Sequence, residues 1–480
     1  MPAIVERARR TARTHRRAAR LAVAGLACVG VGITAAALTH RYGLAGLALD
    51  RAAIRSWLSG DGLYAYRAPD SNLGTAVPPA AAFLLLPAAW LPIGAAGRLL
   101  ALAGVAALAL ALYTLAGPVA RRYGRPRWRA VLAAGALALL LEPVRAALGL
   151  GRLDVLAFGL IVADMVALRR GAWARSRATW WPRGRGSPAR RSIHEGAGSA
   201  ARPPGGGHLR RLLRRGWERG AWAGVGIGIA TALILSPVFF IVYLASTRQW
   251  RAACTATATG VALGAGAVLA APHEGVAWLT EVLFRLDRRG GIGAPDNQSL
   301  AGVLARLFDS ATTPVLLWLS FGLMLVSVGL IRARSAHADG DEVAAFTLVG
   351  LTAGIAGPVT STYELIWVVP AVLILVDAAF RQRVCGRRPG PGRPSRVAGT
   401  GYAMAAVLTY LLFVTAPMWT LAGAGGTVGT VGGNAYALGL ILLINGLPAR
   451  MGAAPAFPVD HWRRPVTAHL RPAAAVPEPG

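Results

Sequence analysis

Residues 99–118 read LLALAGVAALALALYTLAGP and are followed at 121–129 by RRYGRPRWR. An apolar run of about 20 residues is long enough to cross the hydrocarbon core of a bilayer as an α-helix. Comparable runs recur along the chain, which holds about ten of them. Arginine-rich loops stay in the cytoplasm, so the loops rich in carboxylates, tyrosines and amides are predicted to face outward. The pattern predicts an all-α integral membrane protein with polar chemistry at its outer face.

The overall composition supports this class and excludes a nucleic-acid-binding one. Of the 480 residues, 55% are hydrophobic and 15% are charged, whereas a soluble domain has about 25% charged residues. The net charge of +30 comes from arginine alone, since the chain has no lysine. The sequence shows no basic folded domain that could bind a nucleic-acid groove. The positive charge therefore indicates which loops are cytoplasmic, and attraction to anionic membrane lipid. No nucleic-acid partner is expected.

The apolar runs and the charged segments divide the chain into five parts. A basic start can mark a cleaved signal peptide, but no cleavage site is evident, and we predict an uncleaved first span. Residues 169–220 are rich in Arg, Gly and Pro without periodicity, as is typical of disorder. The predicted parts are a cytoplasmic N-terminus (1–20), an N-terminal membrane part (21–168) with outer loop 40–78, a disordered cytoplasmic insert (169–220), a C-terminal membrane part (221–448) with outer loop 272–312, and a disordered cytoplasmic tail (449–480).

Two apolar stretches depart from simple spans. Residues 80–92 are short and contain two prolines. They are predicted to form a re-entrant or interfacial segment, which keeps loop 121–129 on the cytoplasmic side; the alternative is that this loop violates the charge rule. The stretch 221–246 has Ser236 and Pro237 in its middle. A proline there is expected to break it into two half-helices.

The first outer loop is the strongest candidate for a catalytic site. A carboxylate at the membrane surface can act as general base towards a sugar hydroxyl, and arginine matches the oxygens of a phosphate group. The alternative is an ordinary solvated loop with a few interfacial aromatic residues. The candidates in this loop are the carboxylates Asp50 and Asp61, the arginines Arg55 and Arg67, and the sugar-stacking aromatics Tyr64 and Tyr66.

Two further segments carry candidate residues. Glu142 and Arg145 lie at a predicted span end, where a functional role and a structural pairing are equally consistent with the sequence. Asn297, Gln298 and Ser299 match the N-glycosylation acceptor pattern, and the alternative is a polar cluster that binds sugar. No phosphate-cradling loop, HExxH or CxxC pair is found, so neither a cofactor nor a metal is expected.

Several segments in order resemble the polyprenol-phosphate-mannose-dependent α-1,2-mannosyltransferases of actinobacteria, which belong to the GT-C class. No single motif is specific, but their order and spacing over about residues 20–380 match the family. The matching segments are AIRSWLSGDGLYAY at Ala53–Tyr66, Pro78-Pro79, EPVR at Glu142–Arg145, GRLD at Gly151–Asp154, LSP at Leu235–Pro237 followed by Tyr243, NQS at Asn297–Ser299, and Pro358–Trp367.

The resemblance implies a GT-C-like bundle of about 10–12 transmembrane helices, with short helices in the first outer loop. It implies an inverting hexosyltransferase that moves mannose from a polyprenyl phosphate to a glycolipid or lipoglycan. The protein would be a multi-pass plasma-membrane enzyme with both termini in the cytoplasm and its active site outside. Four further positions would bind donor: Arg152, Asp154, Tyr363 and Glu364.

The chain also departs from the family at several positions. Gly46 stands in the register of the catalytic aspartate, and Asp50 follows one helical turn later, where it can face the same side. Ile234 replaces a lysine, Arg152 a glutamine, and the pair Tyr363-Glu364 two histidines. Two alternatives therefore stay open: a transporter or flippase for a lipid-linked sugar, and a catalytically degenerate scaffold in glycolipid assembly. Transporters place ionisable groups at the midplane, whereas here they collect at one face.

Overall fold

The described part of the chain is helical throughout. The computed structural model describes residues 29–69, 71–180, 220–285, 291–308, 314–385 and 399–450, with Gly25 and Arg288; for 173–180 and 385 it describes the backbone only. The predicted N-terminus 1–20, most of the insert and nearly all of the tail lie outside these residues. Within them, the one pairing of extended residues joins Asn297 to Ser361. The all-α prediction is confirmed.

The helices follow the apolar runs of the sequence. Those of the N-terminal part are α1 (29–42), α2 (Ala45–Leu58), α3 (Pro79–Trp90), α4 (Ile93–Arg122), α5 (Arg127–Leu140), α6 (Glu142–Leu150) and α7 (Asp154–Trp180). Those of the C-terminal part are α8 (Val225–Ile234), α9 (Val238–Ser246), α10 (Trp250–Ala270), α11 (Pro272–Ala277), α12 (Leu300–Leu307), α13 (Val315–Ala338), α14 (Glu342–Ala356), α15 (Val368–Cys385), α16 (Thr400–Thr415), α17 (Met418–Leu421), α18 (Gly426–Gly433) and α19 (Ala435–Gly446). A π-helical turn covers Trp278–Val282 and a 3₁₀ turn covers Thr362–Glu364.

Several helices are long and apolar enough to cross a membrane. Within the described residues, these are α4, α10 and α13 by length and composition, and the number rises from 3 to 5 if the bent pairs α5–α6 and α18–α19 each count as one span. Shorter apolar helices, namely α3, α8, α14 and α16, fill the bundle between them. The protein is a multi-pass membrane protein, and the predicted total of about 10–12 spans stays a prediction.

The breaks between helices have local causes in the sequence. The predicted interruption at Ser236-Pro237 is confirmed: α8 ends at Ile234, Leu235 adopts a φ of 59°, and α9 begins after Pro237. The apolar run over 130–145, which by its length could form one span, instead bends by 75° at Leu141. Leu141 is extended and Pro143 lies in the first turn of the next helix, where a missing amide proton costs nothing. Helix α7 continues to Trp180, into the segment predicted to be disordered.

Two hydrophobic clusters form the core. The larger is built from α4 to α9 and from the C-terminal helices. The smaller joins α2, α3 and the start of α7, and includes Leu47, Ile54 and Leu63. Ile234, at the end of α8, packs against both clusters. The seam between the two clusters therefore runs along the break between α8 and α9.

Candidate active site

Asp50 is the buried carboxylate of the first outer loop. It lies on α2 with 3% of its surface exposed. The Thr75 hydroxyl donates to Asp50 Oδ1 at 2.8 Å, and Arg152 Nη1 donates to Asp50 Oδ2 at 3.2 Å. Each carboxylate oxygen has two lone pairs, so each can still accept a hydrogen bond from a substrate hydroxyl. The structure therefore places the predicted catalytic carboxylate in a partly buried ion pair.

Gly46 makes room for that ion pair. A Cβ atom at this position would lie 2.6 Å from Arg152 Nε and 2.9 Å from the carbonyl oxygen of Leu150. Any side chain here would meet the guanidinium one helical turn before Asp50. The glycine and the displaced aspartate are thus two parts of one arrangement around Arg152.

Arg152 lies in the turn between α6 and α7, at the centre of a cluster of acidic groups. Its guanidinium carbon lies 5.0 Å from the centroid of the Tyr363 ring. It is attracted electrostatically to Asp50, Asp154 and Glu364. Its Nε is buried without a hydrogen-bond partner among the described residues. Three carboxylates therefore act on one guanidinium.

These residues line a group of neighbouring cavities along the seam between the clusters, which we call the cleft. Three adjoining cavities of about 500, 460 and 970 Å³ all include Ile234 and Glu364 in their walls. We call one end the polar chamber, which is lined by Asp50, Arg152, Asp154, Tyr363 and Glu364. We call the largest cavity the apolar chamber, which is lined mainly by Val238, Phe239, Trp278, Val282, Leu283 and Val359. A polar pocket thus lies beside a hydrophobic one, and Ile234 and Glu364 belong to the walls of both.

The other candidates of the first outer loop do not line the cleft. Arg55 Nε donates to the Ala89 carbonyl at 3.0 Å, and Arg67 Nη1 donates to the Asn72 carbonyl at 3.0 Å. Asp61 is exposed and accepts a hydrogen bond from Ser59 at 3.1 Å. These contacts shape the loop and tie it to α3.

The two tyrosines of the loop also serve its packing. The Tyr64 hydroxyl donates to the Val77 carbonyl at 2.9 Å, and Tyr66 packs against the smaller cluster. Burial raises the pKa of the Tyr64 phenol, which keeps it neutral as a hydrogen-bond donor. Neither ring is presented to the cleft.

Glu142 and Arg145 lie on α6, behind the 3₁₀ turn. Thr362 donates to Glu142 Oε1 at 3.0 Å, while Arg145 Nη2 donates to the Val414 carbonyl at 3.0 Å. Holding Thr362 from behind directs the next two residues, Tyr363 and Glu364, into the polar chamber. In this geometry Glu142 positions the 3₁₀ turn and does not face the polar chamber.

Asn297, Gln298 and Ser299 form the centre of what we call the amide clamp, completed by Arg306 and Asn434. Asn297 Oδ1 accepts from the amides of residues 299 and 360, at 3.2 and 3.0 Å. Gln298 Oε1 accepts from the amides of residues 436 and 437, both at 3.2 Å, and its Nε2 donates to the carbonyl oxygens of residues 295 and 433. Ser299 accepts from the amide of residue 302 and caps α12.

The clamp joins the loop 272–312 to the residues that lead into the 3₁₀ turn and to α19. Arg306 donates to Asn434 Oδ1 at 2.7 Å, and burial lowers its pKa to about 10. Asn297 is 2% exposed and both ends of its amide are bonded, so it offers no place for a glycan. None of the clamp residues lines the cleft.

One cation at the cleft was not anticipated from the sequence. Arg285 lines the apolar chamber, and Arg288, nearby in the chain, donates to the carbonyls of Tyr64 and Thr75. Both belong to an arginine-rich stretch inside a loop predicted to be external. Arginines in a loop predicted to be external are an exception to the charge rule for topology. This exception is the sequence signal that could have identified Arg285 as a candidate. Among the described residues, no group of three or more His, Cys, Asp or Glu side chains is arranged to hold a metal ion.

The chain is similar in sequence to several known proteins. The chain is 28% identical over 345 residues, 68% of the chain and 69% of the relative, to a Mycobacterium tuberculosis protein named polyprenol-phosphate-mannose-dependent alpha-(1-2)-phosphatidylinositol mannoside mannosyltransferase. A Mycolicibacterium smegmatis protein of the same name is 26% identical over 68% of this chain and 69% of that protein. A Mycobacterium tuberculosis pentamannoside mannosyltransferase is 24% identical over 76% of the chain and 72% of the relative.

Among solved structures, ArnT from Cupriavidus metallidurans in the apo state matches with a TM-score of 0.30 and 17% sequence identity, covering 84% of this chain and 70% of that chain. At this level the superposition supports no correspondence between individual residues. The family model of glycosyltransferase family 87 matches residues 77–185 and 207–361, more than half of the chain. On the strength of that match, the chain belongs to glycosyltransferase family 87.

Proposed function

We propose that this protein transfers a mannosyl group from a polyprenyl phosphate to a glycolipid or lipoglycan acceptor at the extracytoplasmic face of the membrane. Its relatives carry names that specify a polyprenol-phosphate-mannose donor and phosphatidylinositol mannoside acceptors. The single observation that carries the proposal is the cleft, in which a chamber lined by carboxylates lies next to a larger hydrophobic chamber. That is the shape a sugar on a lipid requires.

The charge distribution orients the donor within the cleft. Sugar hydroxyls can donate to the carboxylates of the polar chamber, whereas the same carboxylates repel a phosphate. The phosphate lies better towards Arg285, on the wall of the apolar chamber, where a guanidinium can stabilise the departing phosphate. The polyprenyl chain then lies against Phe239, Trp278 and Leu283, and its burial there contributes roughly 25 cal/mol per Å².

Asp50 is the proposed general base. It takes the proton from an acceptor hydroxyl, whose oxygen forms a bond to C1 of the sugar. The bond from C1 to the phosphate oxygen breaks at the same time, and the polyprenyl phosphate leaves with the electron pair. One displacement inverts the anomeric carbon, so a β-linked donor yields an α-linked product. Arg152 holds the Asp50 carboxylate in place through its 3.2 Å contact.

The departures from the family fit this arrangement. Ile234 and Arg152 line the same cavity, so the cation implied at position 234 is supplied here from position 152. Likewise the carboxylate implied at position 46 is supplied from Asp50, one turn further along α2. The charges are redistributed within one chamber rather than lost, which favours an active enzyme over a degenerate scaffold.

The test is sugar transfer from radiolabelled polyprenyl-phosphate-mannose in membranes that contain the full-length protein. Asp50→Asn keeps the shape and the Thr75 contact but removes the base, and the rate is expected to fall by about 10²–10⁴-fold. Asp61→Asn is the matched control, because that carboxylate belongs to the same loop and lies outside the cleft; its rate should match the wild type.

Each outcome has a defined meaning. Full activity of Asp50→Asn at equal expression would contradict the base assignment while leaving the transferase intact. A β-linked product from the β-linked donor would exclude the single displacement. Absence of transfer by the wild type across a panel of glycolipid acceptors would reject the transferase proposal and direct attention to lipid-linked sugar transport.

A further inference from the structure

A second cavity lies at the arginine-rich end of the bundle. It has a volume of about 400 Å³ and takes three arginines into its wall: Arg122 at the end of α4, Arg169 on α7, and Arg450 beyond α19. The rest of the wall is apolar and comes from Leu115, Pro118, Val119, Val343, Pro370, Leu373 and Ile374. We call this the arginine cavity.

The arginine cavity and the catalytic cleft lie at opposite ends of the same helices. Helix α7 contributes Asp154 to the cleft and Arg169 to the arginine cavity. Fifteen residues of helix separate them, a rise of about 22 Å at 1.5 Å per residue. Helix α14 runs the other way, with Val343 at the arginine cavity and Ala353 at the cleft. A separation of this size approaches the thickness of the hydrocarbon core.

The positive charges of the three arginines are not equally compensated by carboxylates. Arg450 donates to Asp377 at 2.9 Å and also lies near Asp341. Arg381 shares Asp377, with a contact of 3.0 Å. The two aspartates are therefore already neutralised by two other guanidinium groups.

Arg122 and Arg169 have no salt-bridge or hydrogen-bond partner among the residues that the structure describes. Arg450 repels both guanidinium groups, and Arg122 also repels Arg169. The nearby carboxylates attract them, Asp377 acting on Arg122 and Asp341 and Glu342 on Arg169, but none of these forms a direct ion pair with either. Like charges that converge on a cavity cost free energy unless an anion lies between them.

The surroundings indicate that this anion is the headgroup of a lipid. The helices of the wall are apolar, and next to the aspartates the rings of Tyr123 and Phe380 pack at 5.3 Å, with Phe380 47% exposed. Aromatic residues of this kind concentrate at the membrane–water interface. Basic pockets between transmembrane helices on the cytoplasmic side recognise anionic lipid headgroups. A freely soluble phosphate would make no favourable contact with the apolar half of the wall, whereas a lipid would.

We propose that the arginine cavity binds the phosphate of an anionic glycerophospholipid from the cytoplasmic leaflet, held by Arg122 and Arg169. The lipid neutralises the end of the bundle opposite to the catalytic cleft and ties α4 to α7. This site is independent of the transferase reaction, because none of its residues belongs to the cleft.

The test is native mass spectrometry of the full-length protein in mild detergent, titrated with phosphatidylglycerol, with zwitterionic phosphatidylcholine, or with inorganic phosphate. We expect one tightly held phosphatidylglycerol in the wild type and weaker retention of about tenfold for Arg122→Gln and for Arg169→Gln. Arg98→Gln is the matched control, since Arg98 is an exposed arginine at the other end of α4. Its retention should equal that of the wild type.

Thermal unfolding in the same detergent without added lipid checks that the variants fold. Each glutamine variant should still unfold cooperatively, and only the increase in unfolding temperature caused by phosphatidylglycerol should be lost. Equal retention of phosphatidylglycerol and phosphatidylcholine, retention unchanged in both variants, or displacement of the lipid by millimolar inorganic phosphate would each overturn the proposal.

Discussion

The polar chamber and the amide clamp are both built from polar residues that stand out in the sequence, yet they differ in where their polar atoms find partners. In the clamp, Gln298 makes four hydrogen bonds, all to the backbone of the same protein. In the polar chamber, Asp50 and Arg152 face a cavity, and Arg152 Nε has no hydrogen-bond partner among the described residues. A polar group whose bonds are all satisfied internally stabilises the fold; one that faces a cavity is available to a substrate.

The largest effect expected from this difference is a loss of stability in the clamp. Gln298→Leu has nearly the same volume but leaves the buried amides of Tyr436 and Ala437 and the carbonyls of Pro295 and Gly433 without partners. Unsatisfied buried groups cost about 1–3 kcal/mol each, and with partial rearrangement we expect a loss of about 3–5 kcal/mol. The measurement is the midpoint of thermal unfolding in detergent, together with the transfer rate per folded molecule.

Asn445→Leu serves as the control for that experiment. The Asn445 amide is exposed and donates to the Ile441 carbonyl of its own helix, so its replacement should change stability by less than about 0.5 kcal/mol. If Gln298→Leu melts like the wild type but loses its transfer activity, the amide contacts substrate, and the division between clamp and chamber is wrong.

The next effect should combine a loss of stability with a loss of activity, because Gly46 packs directly against the Asp50–Arg152 ion pair. Gly46→Ala would place Cβ 2.6 Å from Arg152 Nε and 2.9 Å from the Leu150 backbone oxygen. Overpacking of this kind costs about 1–3 kcal/mol. The displaced guanidinium should also lose its contact to Asp50, so the transfer rate should fall by more than the change in stability accounts for.

Gly264→Ala gives the contrast within another helix. Nothing lies within 4 Å of a Cβ atom at that position of α10, so alanine should stabilise the helix by up to about 1 kcal/mol. A Gly46→Ala protein that keeps full activity would show that the Asp50–Arg152 contact is dispensable.

The sequence predicted the fold further than it predicted the site. The lengths of the apolar runs and the arginine-rich loops were sufficient to predict a helical membrane bundle. Pro237 was sufficient to predict the break between α8 and α9. The bend at Leu141 was missed, because an apolar run does not reveal that the proline of EPVR starts a new helix. These are local properties, and local patterns specify them.

The site depended on contacts between distant segments, which no local pattern contains. Asp50, Arg152, Asp154, Tyr363 and Glu364 were all named as candidates, and they line one chamber. Asn297–Ser299 were equally prominent in the sequence but bond to the 3₁₀ turn and to α19. Whether an amide is bonded to its own protein depends on the fold of residues more than a hundred positions away.

The smallest effect, and the one that best resolves the polar chamber, comes from Thr75. Its hydroxyl donates to Asp50 Oδ1 at 2.8 Å, and the Val77 amide donates to the same hydroxyl at 3.4 Å. Thr75→Val keeps the shape and removes one hydrogen bond to the carboxylate, worth about 1–2 kcal/mol. If this contact orients Asp50 as the base, kcat should fall by roughly fivefold to thirtyfold while KM stays near the wild-type value.

Thr34→Val, which loses only a bond to Gly30 within α1, is the control and should leave both kcat and KM unchanged. A rise in KM alone would instead mean that Asp50 binds the sugar and that the proton is taken elsewhere in the chamber.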